Sequence, residues 1–181
     1  MTLEEKIEKC SGLIAEHEVG HAIVSLALFE KSSMVTLKKV EDWDQPGFGE
    51  DDPTVMHVEG FNLVIDIEAV KPTAMSAYGY AGKVAEAMCT HGLKSDDELW
   101  EVISADDDEK WSSGDIERRN AVDIDRRRLA CDLAVLLIRG AYSVQNKYSA
   151  WIAEDFVSRK VDEASYLIRN LTDPAPIPVE P

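Results

Sequence analysis

Four histidines occur in this chain of 181 residues, and two of them, His17 and His21, stand four apart with Glu18 between them, in "IAEHEVGHAIV" (14 to 24). On a helix that spacing puts both imidazoles on one face, with Cβ atoms about 5–6 Å apart, so that both can reach a single metal ion. At about 100° per residue, Glu18 falls roughly 80° around the helix from the axis bisecting the two histidines. It is therefore placed to touch a water on the metal rather than the metal itself. His17 and His21 read as ligands and Glu18 as a general base. This is the arrangement with which zinc makes a nucleophile of water at neutral pH, by lowering its pKa and polarising the scissile carbonyl.

The plainer alternative is a pair of core histidines. Burying two imidazoles in an apolar helix costs free energy unless each finds a partner, and a shared metal supplies both partners at once. Gly20 adds to the case, since a mid-helix glycine costs about 1 kcal/mol relative to alanine and is tolerated where another element or a ligand must approach closely. A catalytic zinc takes three protein ligands and keeps one position open. By residue type, His57 and His91 qualify as the third; by context, so do Glu86 on a later helix and Asp115 just after "WSSG". Glu86 also fits a carboxylate that holds a ligand histidine by its other ring nitrogen, the reading preferred here. Asp115 also fits the first turn of a helix, where Ser112 has nearly the spacing of a capping box and an acid complements the helix dipole.

The elements that must position these residues are partly legible. Residues 3–29 read as one helix with apolar residues on both faces, Ile14, Val24 and Leu28 beside the histidines and Ala15, Val19, Ala22 and Ile23 opposite, so the helix is central and buried. "MVTLKKV" (34 to 40) reads as a strand, and "TVMHVEG" and "NLVIDIEAV" as a second and third. Between them lies the acidic loop "EDWDQPGFGEDDP", whose flanking aromatics Trp43, Phe48 and Phe61 are read as core or loop anchors. Pro72 opens a helix. Residues 93–110 mix a short helix with loop. A cap signal at "SSGD" starts a long helix to about residue 138, and Gly140 breaks it before another over 142–171. "DIDRRR" (123 to 128) reads as a solvated helix face with local acid–base pairs. The tail "DPAPIPVEP" (173 to 181), with four prolines in nine residues, is expected to be extended or disordered. The expected organisation is one domain over 1–172 followed by this tail.

Composition bounds the rest. At 45% hydrophobic and 30% charged the chain reads as soluble and globular. No apolar run reaches the length expected of a membrane span, and the charged start is unlike a secretory signal. Cys10, Cys89 and Cys131, odd in number and widely spaced, suit a reducing compartment, so a cytoplasmic location is expected. A net charge of −16 repels nucleic acid and anionic membranes, which leaves a polypeptide as the expected partner. The oligomeric state stays open, a homo-oligomer included.

"HEVGHAIV" resembles the "HEAGHA" helix of the FtsH-type zinc peptidases, the protease domain of a membrane-bound, ATP-dependent protease family. Two further segments match in the same order. "AGKVAEAM" (81 to 88) is similar to the family's Gly-Gly-Arg-x-Ala-Glu-Glu helix, and "SSGDIERRNA" (112 to 121) to its Gly-Ala-x-Asn-Asp-Leu-x-x-Ala-Thr segment, whose aspartate is the third zinc ligand. The resemblance implies a mainly α fold with a small β element, of zincin-like FtsH peptidase-domain architecture. It implies Zn2+ held by His17, His21 and Asp115, with Glu18 as the base in peptide hydrolysis. Departures are Val19 for the usual alanine, Gly114 for the asparagine before the ligand and Ala87 for the second glutamate of the middle helix. No G-x-x-x-x-G-K-[ST] phosphate loop occurs in the chain. The expectation is therefore an ATP-independent metalloendopeptidase acting on flexible or unfolded polypeptides, with the sheet edge at 34–40 pairing with extended substrate. The rival from another class is a catalytically idle adaptor or regulatory domain stapled by zinc. The intact Glu18 argues against it, because a structural site needs no base. Hydrolysis of a non-peptide amide is a third reading that sequence does not separate from the first.

Overall fold

The structure is a computed structural model that describes residues 3–39, 58–64, 71–106 and 111–179. Six helices and four strands follow in the order α1 Leu3–Phe29, β1 Ser33–Lys39, β2 Val58–Val64, α2 Pro72–His91, α3 Asp96–Ala105, α4 Ser113–Arg119, α5 Ile124–Gly140, α6 Tyr142–Arg159, β3 Glu163–Ile168 and β4 Ile177–Val179. The described chain is mainly helical with one small antiparallel sheet.

Helix α1 is the hub, as an element apolar on both faces must be. Ala15, Val19, Ala22, Ile23 and Val24 are all within 1% of full burial, and the helix packs against α2, α6, β1 and β2. One expectation needs correcting. By length and composition alone Ile7–Phe29 is long and apolar enough to cross a bilayer, its most apolar stretch having a mean hydropathy of 1.2, although 61% of that stretch is buried inside the fold. A central helix that buries two faces carries as much apolar surface as a span does, so hydropathy alone does not tell them apart.

The sheet order is β2-β1-β3-β4, each pair antiparallel. This overturns the expectation of an open edge at 34–40. Strand β1 is covered on both sides, with Val35 opposite Asn62 of β2 and opposite Tyr166 of β3. Among the described residues the outer strands are β2 and β4. Of the two strands expected between 54 and 70, the described residues Val58–Val64 form one strand, β2, which runs through Gly60 at what looked like a break, and the rest lie outside the described residues. Strand β3 was expected to be helix as far as 171. Helix α6 stops instead at Arg159, where Lys160 turns left-handed (φ 54°), and the burial of Ala164, Tyr166 and Ile168 shows the two-residue period of a strand. The tail, expected to be extended or disordered, is extended where it adds β4 over Ile177–Val179, with Pro178 on an outer strand that tolerates it.

The long helix expected from the "SSGD" cap is two helices. Helix α4 ends at Asn120, and the backbone is extended at Asp123 before α5 begins. The short α4 is tied to α2 by Ser76 Oγ, which donates to the Arg119 carbonyl at 2.8 Å, and the Arg119 guanidinium lies 4.5 Å from the centre of the ring of Trp111, just before α4, which in turn packs edge-on against Tyr80 of α2. In α5, Arg128 pairs with Asp132 one turn on, a local acid–base pair of the kind read from "DIDRRR", and also with Asp97 of α3, a tertiary pair that reading did not include.

Gly20 is where α1 and α2 meet most closely. A Cβ there would stand 2.6 Å from Ala85 Cβ and 2.7 Å from the Ala81 carbonyl oxygen. On an open helix Gly20→Ala would stabilise by about 1 kcal/mol. Here the sign is expected to reverse, to a loss of about 1–3 kcal/mol typical of overpacking. Urea denaturation of the variant reads this directly, and a higher midpoint than wild type would contradict the close packing.

Candidate metal centre

Helices α1 and α2 run side by side so that two spacings of four face each other. His17 and His21 on α1 meet Tyr78, Gly82 and Glu86 on α2. The His21 and Tyr78 rings lie 4.8 Å apart. The His17 ring sits where a side chain at Gly82 would be, so any larger residue at 82 collides with the imidazole. One step further along, His17 Nδ1 lies 2.5 Å from Glu86 Oε1, while Lys83 Nζ donates to the other carboxylate oxygen at 2.9 Å. With Nδ1–H donated to Glu86, the Nε2 lone pair of His17 is left for another partner.

That side of the ring faces the other candidate ligands. His17 Nε2 lies 3.1 Å from His21 Nε2 and 3.2 Å from Asp115 Oδ2, and His21 Nε2 lies 3.3 Å from Asp115 Oδ1. Asp115 comes from α4, 98 residues along the chain from His17. Its backbone N–H is capped by Ser112 Oγ at 3.1 Å, so the capping role read from sequence belongs to the serine and leaves the aspartate side chain free to turn inward. Gly79 makes this possible. A Cβ there would stand 2.9 Å from the Asp115 carbonyl oxygen and 2.5 Å from Arg119 N, so α4 rests directly on the α2 backbone.

The cluster is shielded, with side-chain exposures of 13% for His17, 4% for His21 and 3% for Asp115. Burial opposes charge on His17, but the carboxylates of Asp115 and Glu86 outweigh it and raise its pKa. Burial pushes Asp115 and Glu86 upward, and their hydrogen bonds to the histidines overcome this and hold both carboxyls below the ordinary range. Glu18 behaves oppositely. It is 6% exposed, and burial raises its carboxyl above the usual value against the lowering effect of His17 and His21. A carboxylate whose pKa is raised holds a proton more readily than an ordinary one. Gly60 of β2 covers Glu18, since a Cβ at that position would stand 2.7 Å from Glu18 Oε1.

The residues fit a metal. One atom from each of His17, His21 and Asp115 lies within 4.8 Å of the others, and two imidazoles with one carboxylate form an N2O donor set of a kind that can hold a divalent metal ion. His21 Nδ1 is buried with no hydrogen-bond partner, so the ring is placed by its Nε2 contacts and by packing against Tyr78. Of the other residues considered, Glu86 touches His17 from the side away from Asp115, His91 is exposed at the end of α2, and His57 lies outside the described residues, as do Trp43, Phe48 and the side chain of Phe61. The sequence reading missed Tyr78, Gly82 and Arg118. The spacing of four from Tyr78 through Gly82 to Glu86, matching that of the histidines, is the signal that could have found the first two.

No family model matches this chain, and no curated protein or solved structure matches it either. The functional reading therefore stands on the residues and their geometry.

Proposed function

We propose that this chain is a zinc-dependent peptidase domain of zincin-like, FtsH-peptidase type, hydrolysing peptide bonds in flexible or unfolded polypeptides. The observation that carries the reading is the meeting of His17, His21 and Asp115 in one buried cluster with the buried carboxyl of Glu18 on the adjoining face of α1. His17 and His21 would hold the ion through Nε2 and Asp115 through its carboxylate, with Glu86 fixing the tautomer of His17. Zinc, when bound, supplies a lowered pKa for water and polarisation of the substrate carbonyl. Glu18 takes the proton from the attacking water and returns it to the leaving amine, one carboxyl serving as base and then as acid. Among the described residues strand β2 lies at the end of the sheet, and its Gly60 backbone rests on Glu18. An extended polypeptide added to β2 by backbone hydrogen bonds would run past that carboxyl, so the substrate-pairing edge moves from β1 to β2.

The chain carries no phosphate loop, so the expected activity needs no ATP. Purified protein with zinc should cleave casein slowly, leave a tightly folded protein intact, and lose activity on chelation. Equal cleavage of folded and unfolded forms of one substrate, or a requirement for ATP, would count against the proposal.

A further inference from the structure

Each of the three candidate ligand side chains is held by a different group, Glu86 on His17, Tyr78 on His21 and Arg118 on Asp115, and the last of these also touches Tyr78. Arg118 donates from Nη1 to Asp115 Oδ1 at 3.3 Å. Its guanidinium carbon also lies 5.2 Å from the centre of the Tyr78 ring, and that ring packs on His21 at 4.8 Å. A pair three residues apart on a helix is ordinarily a surface ion pair of little consequence. Here the carboxylate is 3% exposed and faces two imidazoles, while the guanidinium is 37% exposed and approaches from outside. Gly114 leaves the room. A Cβ there would stand 3.0 Å from Arg118 Nη1, tight enough that the guanidinium would have to give way.

We propose that Arg118 is a positioning residue of the metal centre, holding the Asp115 carboxylate through Oδ1 in the orientation that faces both imidazoles and bracing the Tyr78 ring against His21, with Gly114 as the gap that admits it. The proposal rests on the metal reading above. Released from Arg118, the carboxylate would be free to turn, and the set of atoms offered to an ion would change. Gly114, which departs from the asparagine of the resembled motif, thereby acquires a physical reason.

The test uses cobalt(II) in place of zinc, because the intensity and position of its visible bands report coordination number. Wild type, Arg118→Gln, Gly114→Ala and the double variant are loaded with cobalt, with far-UV circular dichroism as the control for folding. Arg118→Gln is expected to shift the visible bands and to weaken cobalt binding about tenfold, the lower end of the cost of losing a partner of a metal ligand. Gly114→Ala is expected to shift the bands in the same direction, and the double variant to add nothing to Arg118→Gln. A wild-type spectrum in folded Arg118→Gln overturns the proposal while leaving the metal reading intact. If Arg118→Gln does not fold, Gly114→Ala decides, and its wild-type spectrum overturns the proposal equally. Failure of the wild type to take up cobalt overturns both the metal reading and this inference.

Discussion

Glu18→Gln is expected to lower kcat/KM for peptide hydrolysis by about 10²–10⁴-fold, the range for loss of a positioned general base, while bound zinc stays at the wild-type ratio. Glutamine keeps the shape of the side chain and cannot take the proton. Zinc should remain, because Glu18 is not among the three residues whose ligand atoms converge. Stability should not fall either. Burial raises the Glu18 carboxyl above its ordinary value of 4.5, so the folded state binds this proton more tightly than the unfolded state does. Its contribution to stability is present below the ordinary value and is lost as pH rises through the raised one. At neutral pH the neutral glutamine removes that loss, and a thermal melt should show an equal or higher midpoint. Cleavage assays, metal content and the melt together separate a lost base from a damaged fold. Wild type and Glu18→Gln proving equally inactive on every peptide, with zinc retained and a common partner bound, would replace the enzyme by the idle adaptor.

The second large effect concerns the metal. The wild type is expected to hold about one zinc per chain, and the His17→Ala, His21→Ala double variant close to none. Asp115→Ala should weaken zinc binding by more than the ~10–100-fold that loss of a partner of a ligand costs, with activity failing as a consequence. Glu86→Gln should fall within that range, because it removes the acceptor for His17 Nδ1 and leaves all three ligands. Competition against a chromophoric chelator measures all four proteins on one scale. Glu86→Gln losing more zinc than Asp115→Ala would exchange their roles.

Much of this centre was legible because it depends on local spacing. His17, Glu18 and His21 lie on one helix, and the apolar pattern on both faces of α1 announced its burial. Asp115 was harder, since its inward turn depends on Ser112 taking the capping role and on Gly79 letting α4 rest on α2. The division between α4 and α5 was missed because no proline marks it, and the turn at residues 120–123 is held by the tertiary ties of Arg119. The end of α6 was missed for a related reason. "DEASYLIRN" has acceptable helix formers, and its strand character comes from pairing with β1 and burial of alternate residues. Strand β2 hid behind Gly60, which looked like a break but is the point at which backbone meets Ile14 and Glu18. Arg118 carried no signal of its own, since an arginine three residues after an aspartate on a helix is commonplace.

The most direct measurement is an anomalous-difference map from zinc-loaded crystals, collected on either side of the zinc absorption edge. The account predicts one peak per chain within bonding distance of His17 Nε2, His21 Nε2 and an Asp115 carboxylate oxygen, with Glu86 still on His17 Nδ1 and Glu18 off the metal. A peak bound by Glu86 with Asp115 turned away, or no peak near the histidines, would contradict it.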